Sequence, residues 1–150
     1  VARAGTVRRL RALAWLGHGD HTLAVALGWS VKAVRETRAG RRPGRIRRDR
    51  AAAVAACYDR LRLLPGVEPW ARSLARAHGW PPATSWDDVF VIDDPAVPDD
   101  LAAATAGMPP ALRRLRWAEH AAAAQRAARR NELSRAHLVR ARARRHTAAS

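Results

Sequence analysis

An all-α fold is predicted by the composition of the chain, by the spacing of its apolar residues and by the positions of its glycines. Alanine dominates the apolar residues and tryptophan the aromatic ones, which suits short helices better than strands. In several windows the larger apolar residues recur at helical spacing, and a glycine closes the window. The chain of 150 residues has the size of one compact domain with appendages.

A bundle of about five short helices is expected in residues 1–80. The helices are predicted over about 6–16, 21–27, 31–39, 51–64 and 69–78. Asp20 and Ser30 are suited to cap the second and third helices, and Gly28 can take the left-handed conformation that ends the second. One side of the fourth helix carries Val54, Tyr58, Leu61 and Leu64.

Two further segments follow this N-terminal domain. Six prolines interrupt residues 81–110 and aspartates fill the gaps, which predicts an acidic, proline-rich loop. Residues 111–150 are rich in alanine and arginine and are expected to form a basic helical tail, with helices over about 111–130 and 132–144. This tail is either an arm that binds DNA or self-associates, or a segment that a partner orders; we favour the second, because alanine-rich helices gain little from packing.

The charge is strongly basic, with 28 basic and 13 acidic residues and a formal net charge of +15. All the bases except Lys32 are arginines, and the arginine guanidinium makes forked contacts to phosphate and to guanine. A GC-rich genome explains the preference for arginine over lysine, but explains little of the net charge. The balance therefore predicts a nucleic-acid partner.

Several classes of protein are not favoured. The single cysteine, Cys57, offers neither an internal disulfide nor a thiolate metal cluster, which fits a reducing compartment. The sequence has no apolar run of membrane-spanning length, and its first residues lack the features of a secretory signal. We expect a cytoplasmic, nucleoid-associated protein with no membrane partner and no cofactor.

Residues 20–39 carry the motif that most directly suggests a function. Apolar side chains stand where two helices joined by a tight turn bury their interface, at Leu23, Leu27, Trp29 and Val34. Ala24 is small where the helices approach, and Gly28 lies at the turn. The stretch resembles a helix-turn-helix of bacterial and phage regulators, although Thr37 and Trp29 differ from the usual residues. The resemblance implies that helix 31–39 is a recognition helix in the major groove of DNA.

A longer resemblance covers about residues 5–95. Its residues include Tyr58 to Leu61, Pro65-Gly66, the run from His78 to Pro82, Trp86 to Asp88 and Ile92 to Pro95. They are similar to those of small DNA-binding proteins encoded by actinobacterial genomes and their phages. This resemblance favours DNA binding without indicating an operator or a target gene.

The candidate DNA-binding residues lie in two adjoining groups. On the recognition helix, the residues not needed for the core are Ser30, Lys32, Ala33, Arg35, Glu36 and Arg38. Lys32 and Arg35 can donate to guanine, Glu36 can accept from cytosine, and Ala33 can touch a thymine methyl group. Alternatively, the arginines reach only phosphates and Glu36 pairs with a neighbouring arginine.

The second group is a flexible basic arm directly after this helix. It contains Arg41, Arg42, Arg45, Arg47 and Arg48, interrupted by Pro43 and Gly44. Such an arm can follow the DNA backbone or enter a narrow minor groove. The alternative is a solvated charged connector with no partner.

Two other clusters resemble reactive sites. Six aspartates between Asp87 and Asp100 could hold Mg²⁺ for a nuclease, but they lie in a proline-rich loop. We expect instead that Trp80 and Trp86 fix this loop onto the helices while the aspartates offset nearby arginines or repel DNA. His18 and His21 lack a second pair of metal ligands, so capping or phosphate contact is favoured. We therefore expect no metal site and no enzyme.

These observations favour a sequence-specific regulator that binds double-stranded DNA, either a transcriptional repressor or a phage-type control protein. One alternative is an architectural protein that coats DNA with little sequence preference. Another is an antitoxin-like interaction module whose acidic loop or C-terminal tail binds a protein partner. The sequence also leaves open a homodimer, although no heptad pattern is visible.

Overall fold

The computed structural model describes residues 1–41, 44–86 and 90–148, with side chains described up to residue 140. The regular elements of these residues are all helices, which confirms the all-α prediction. They are α1 (Ala4–Leu16), α2 (Asp20–Leu27), α3 (Val31–Ala39), α4 (Arg48–Leu61), α5 (Pro69–Ala77), α6 (Asp99–Ala104) and α7 (Pro110–Ala148). A short 3-10 helix, Ala83–Ser85, lies between α5 and α6.

The chain divides into two compact units, Val1–Met108 and Pro109–Ser150. In the first unit α1 is the central helix, because it packs against α3, α4 and α5. Fully buried side chains from four helices form the main core, namely Leu10, Leu13, Leu23, Val34 and Val54. Helices α1 to α5 coincide with the five predicted helices to within three residues at each end.

The end of α1 crosses the chain that leads into α5 at very short range. The Gly66 N–H donates to the Leu16 carbonyl oxygen over 2.8 Å. A Cβ atom on Gly66 would lie 2.1 Å from the carbonyl carbon of Gly17, which is a backbone atom. Position 66 therefore has no room for a side chain.

Glu68, which follows this crossing, binds the start of α2. Its Oε1 accepts from the Gly19 N–H over 3.0 Å and from the Thr22 hydroxyl over 2.6 Å, and these bonds hold the pKa of Glu68 below its usual value. The expectation that Asp20 caps α2 is wrong, because Gly19 is the N-cap and Asp20 already belongs to the helix. The expected position of Leu64 on the buried side of α4 is also wrong, because α4 ends at Leu61 and Leu64 is exposed.

The prediction of an uninterrupted loop over residues 81–110 is wrong for α6. Two aspartates, Asp99 and Asp100, lie in the first turn of this helix, where negative charge is favoured, and alanines continue it. Phe90, Val97 and Ala102 are buried. The acidic segment thus packs as part of the first unit, and the charge boundary at residue 80 lies inside that unit.

The second unit contains α7, a single helix of 39 residues. The prediction of two separate helices is wrong here, because residues 111–148 contain neither glycine nor proline to interrupt one. Large apolar side chains remain exposed along it, at Leu112, Leu115, Leu133, Leu138 and Val139. Within the described ranges, no helix is both long and apolar enough to cross a membrane.

Candidate nucleic-acid interface

Helices α2 and α3 are joined by a tight turn whose geometry the sequence predicted. Gly28 takes the left-handed conformation with a φ of 65°. The Trp29 N–H then donates to the Ala24 carbonyl oxygen over 3.0 Å. The Ser30 side chain caps α3 by accepting from the Ala33 N–H over 3.1 Å, so the predicted roles of Gly28 and Ser30 are confirmed.

The two faces of α3 differ in exposure. Val34 and Thr37 are buried against the bundle. The opposite side carries residues that the sequence assigned to DNA contact, with Ser30, Lys32 and Arg35 exposed and Ala33 and Glu36 partly exposed. The Lys32 Nζ lies 4.0 Å from a carboxylate oxygen of Glu36. This side of α3 therefore presents hydrogen-bond donors and one acceptor.

Arg38 does not lie on that exposed side, and its expected position is wrong. Its guanidinium pairs with Asp20 of α2 over 2.6 Å, and both side chains are almost fully buried. Burial lowers the pKa of Arg38, and the Asp20 carboxylate opposes this effect. The spacing gave a signal for this burial, because Arg38 follows the buried Val34 by four residues and shares its face of the helix.

Arg11 of α1 stabilises the end of α3. Its Nε donates to the Arg38 carbonyl oxygen over 3.1 Å, and an Nη donates to Asp99 of α6 over 2.7 Å. A cation at the C-terminal end of a helix is favoured by the helix dipole. Arg11 thus joins α1, α3 and the acidic segment.

Arg8 of α1 holds the acidic segment from inside. Its side chain is 6% exposed and forms an ion pair with Asp99 over 2.9 Å. It also donates to the carbonyl oxygens of Ile92, Asp94 and Val97. Its guanidinium lies 4.7 Å from the centre of the Trp86 ring, in keeping with the expected role of that tryptophan in fixing the segment.

Arg9 and Asp93 form a second link between α1 and the acidic segment. Two parallel hydrogen bonds of 2.6 and 2.8 Å join the guanidinium to the carboxylate. The bond from Arg9 holds the pKa of Asp93 below its usual value. We expected these aspartates to offset the charge of nearby arginines, and this is confirmed at Asp93 and Asp99. Asp87 and Asp88 lie outside the described residues.

The basic connector after α3 is only partly available to a partner. Arg41, Arg45 and Arg48 are exposed, whereas Arg42 lies outside the described residues. Arg47 is exposed but forms two hydrogen bonds with Asp49, of 3.1 and 2.9 Å. The described part is not a loose arm throughout, because a bridge pairs Arg45 with Ala2 and the Ile46 N–H donates to the Val1 carbonyl oxygen over 3.0 Å.

Neither candidate metal cluster is assembled among its described members, and Asp87 and Asp88 lie outside the described residues. The His18 side chain is buried, and its Nε2 lies 2.9 Å from the Leu64 carbonyl oxygen. The Leu64 carbonyl oxygen lies beyond the end of α4, so this contact caps no helix, and the burial of His18 leaves no phosphate contact. Across the described ranges, no three His, Cys, Asp or Glu side chains are grouped as a metal site requires.

Several arginines of the first unit are paired with carboxylates inside the fold, and several other cations are exposed. Those with internal partners are Arg8, Arg9, Arg11 and Arg38. Exposed cations remain on α3, on the connector and at the start of α4, at Lys32, Arg35, Arg41, Arg45 and Arg48, although the Arg35 Nε also lies 3.3 Å from a carboxylate oxygen of Asp20. The sequence did not predict the internal pairs of α1, although opposite charges on α1 and residues 81–100 were a signal.

Comparison with protein-family models, with curated proteins and with solved structures gives no match.

Proposed function

We propose that this protein binds double-stranded DNA at specific sequences and acts as a transcriptional regulator, either a repressor or a phage-type control protein. In this proposal α2 and α3 form a helix-turn-helix, and α3 lies in the major groove. The observation that carries the proposal is the division of α3. It buries Val34 in the bundle while Ser30, Lys32 and Arg35 stay outside on a capped helix.

The exposed side of α3 has the chemistry of base readout. The Lys32 and Arg35 side chains are 84% and 67% exposed, and both can donate to the O6 and N7 atoms of guanine. Ala33 can contact a thymine methyl group, and Glu36 can accept from cytosine N4. Arg38 has no part in this readout, because its guanidinium is buried against Asp20.

Cations also stand at both ends of α3, where they can contact phosphates. Arg41 comes soon after the C-terminal end of the helix. Near the other end, the guanidinium of Arg50 in α4 lies 5.1 Å from the centre of the Trp29 ring. Phosphate contacts position a protein on the duplex, whereas base contacts give specificity. The arrangement supports both kinds of contact.

The experiment is binding of the full chain to a library of genomic fragments at about 0.15 M salt, with Arg35→Ala beside the wild type. Arg60→Ala is the matched control, because Arg60 is exposed on α4 and lies ten residues, or about 15 Å, from Arg50 along the helix. Enrichment of a defined motif, lost or blurred by Arg35→Ala but kept by Arg60→Ala, supports the proposal. No retention of DNA would refute it.

Uniform retention of all fragments, unchanged by Arg35→Ala, would favour the architectural alternative. That alternative needs only exposed cations, and it leaves unexplained why α3 is capped and carries mixed side chains. The homodimer and the antitoxin-like protein partner stay predictions from the sequence.

A further inference from the structure

A cavity of about 500 Å³ opens beside the C-terminal end of α3, between α3 and α5. Side chains of α1, α2, α3 and α5 line it, so every wall belongs to the first unit. Its volume lies within the range of pockets that bind small molecules. It is therefore large enough to take a ligand rather than a single ion.

One wall of the cavity is cationic. Four arginines line it, Arg11, Arg35, Arg38 and Arg41, against the single carboxylate of Asp20. Asp20 already pairs with Arg38 over 2.6 Å and with Arg35 over 3.3 Å. Arg11 also pairs with Asp99, over 2.7 Å, but four guanidinium groups against these two carboxylates still leave excess positive charge. Arg35 and Arg41 are both exposed, so they can turn toward an anion.

Another wall of the cavity is aromatic and apolar. Trp70, Leu74 and Trp80 form it, and the centre of the Trp80 ring lies 5.3 Å and 5.4 Å from the guanidinium carbons of Arg11 and Arg38. The Trp70 ring is 45% exposed, and its Nε1 donates to Glu68 over 2.9 Å, which fixes its orientation. Trp80 is stacked with His78 at 4.9 Å between ring centres. Trp70 thus offers an accessible aromatic surface in the same cavity as the arginines.

We propose that this cavity binds a small planar anion, an aromatic ring that carries a carboxylate or a phosphate group. The ring lies against Trp70 and Leu74, and the anionic group accepts hydrogen bonds from Arg35 and Arg41. Aromatic rings stack favourably, and hydrogen bonds between a guanidinium and an anion are among the stronger ones. Either wall alone would accept many ligands, but the two together select a ligand that is both planar and charged.

A regulatory consequence follows, and it rests on the proposed DNA-binding function. Arg35 belongs both to the cavity lining and to the exposed side of α3. When its guanidinium donates to the ligand, it no longer donates to a base. The ligand therefore weakens DNA binding, and DNA weakens ligand binding by the same factor.

The test measures ligand binding by calorimetry on the full chain without DNA, so that it does not depend on DNA binding. The probes are 2-naphthoate, indole-3-acetate and adenosine 5′-monophosphate. Neutral 2-naphthalenemethanol and inorganic phosphate test the ring and the anion separately. The variants are Trp70→Ala and Arg41→Ala, with Leu63→Ala and Arg60→Ala as controls at exposed positions outside the cavity. Circular dichroism verifies that each variant is folded.

We expect at least one aromatic anion to bind saturably with one site per chain. Trp70→Ala and Arg41→Ala should each weaken it about tenfold, as expected for the loss of one stacking or charged contact, and the controls should not. The proposal is overturned if no aromatic anion binds saturably, if the neutral alcohol or phosphate alone binds equally well, or if the cavity variants bind like the wild type.

Discussion

Arg38 of α3 and Asp20 of α2 form an ion pair of 2.6 Å in which the side chains are only 4% and 3% exposed. A charge buried in this way is stable only with its partner, because desolvation of an unpaired ion is costly. The pair therefore holds α3 at a fixed position on α2. It also removes from the exposed surface an arginine that sequence reasoning had assigned to DNA.

The first prediction concerns the removal of one partner of this pair. Asp20→Ala leaves the Arg38 guanidinium buried without its carboxylate, and we expect the free energy of unfolding to fall by about 3–5 kcal/mol. The double variant with Asp20→Leu and Arg38→Met should lose less free energy of unfolding than the sum of the losses of Asp20→Leu and Arg38→Met made singly. Urea unfolding followed by circular dichroism measures the free energy of unfolding of the wild type and of these four variants. Additive single and double effects would show that the two residues do not interact.

The second prediction rests on the proposed function, and it separates exposed arginines from internally paired ones by the salt dependence of the proposed DNA binding. Arg41→Ala and Arg48→Ala each remove one exposed cation, and each should lower the magnitude of the log–log salt slope by about 0.9 if the residue contacts a phosphate. Fluorescence anisotropy with a duplex of mixed sequence, titrated across salt concentrations, gives the slope.

The matched control for that measurement is Arg9→Ala. Arg9 carries the same charge as Arg41 and Arg48, but its guanidinium is paired with Asp93 through two hydrogen bonds. We expect the slope of Arg9→Ala to equal that of the wild type. A loss of slope with Arg9→Ala as large as with Arg41→Ala would mean that internal pairing does not decide which arginines reach DNA.

The third prediction concerns acid stability. The hydrogen bond from Arg9 depresses the pKa of Asp93 in the folded protein. The pair therefore stabilises the fold above the unfolded pKa of about 3.9, and this contribution disappears as the pH falls through the folded pKa. We expect Asp93→Asn to have a lower Tm than the wild type at pH 6, with a difference that shrinks below about pH 4.

Thermal unfolding of both proteins from neutral to strongly acidic pH measures this difference. Arg8 is the other cation whose charge acts on Asp93, and it is present in both proteins. A Tm difference that stays constant down to the lowest pH would mean that the pair contributes no pH-dependent stability.

The fourth prediction compares two glycines. Gly66→Ala places a methyl group 2.1 Å from the backbone of Gly17, so we expect it to reduce stability by several kcal/mol or to prevent folding. At Gly28 a methyl group meets no atom within 4 Å, and only the left-handed φ of 65° opposes it. Gly28→Ala should therefore cost only about 1–2 kcal/mol. Calorimetric Tm values show which of the two variants is less stable, and equal values would refute the steric argument.

The helices of the N-terminal bundle were predictable because their signals are local. Gly28 and Ser30 each act on a backbone group within a few residues, and such contacts can be recognised from spacing alone. The same reasoning failed at Asp20, although aspartate is a residue type that often caps helices. At the start of α2 the Gly19 N–H donates to Glu68, which lies 49 residues away in the sequence, and no local pattern indicates so distant a partner.

The candidate site was predictable to a similar extent and for the same reason. The exposed positions of Lys32 and Arg35 follow from helical spacing once α3 is assigned. The internal partners of the arginines do not, since Arg8 and Asp99 lie 91 residues apart. Which of several aspartates meets which arginine depends on how the acidic segment packs, and many pairings are compatible with the same charges.

The attachment of the acidic segment to α1 has a consequence for dissecting this protein by truncation. A fragment that stops at residue 80, where the charge pattern changes sign, keeps α3 but loses Asp99 and the carbonyl oxygens that accept from Arg8. Such a fragment would leave the normally buried Arg8 guanidinium without its acceptors. Low yield or aggregation of the fragment would then reflect this loss and would not test DNA binding. A fragment that ends at Met108 retains those acceptors, so the expression boundary belongs there.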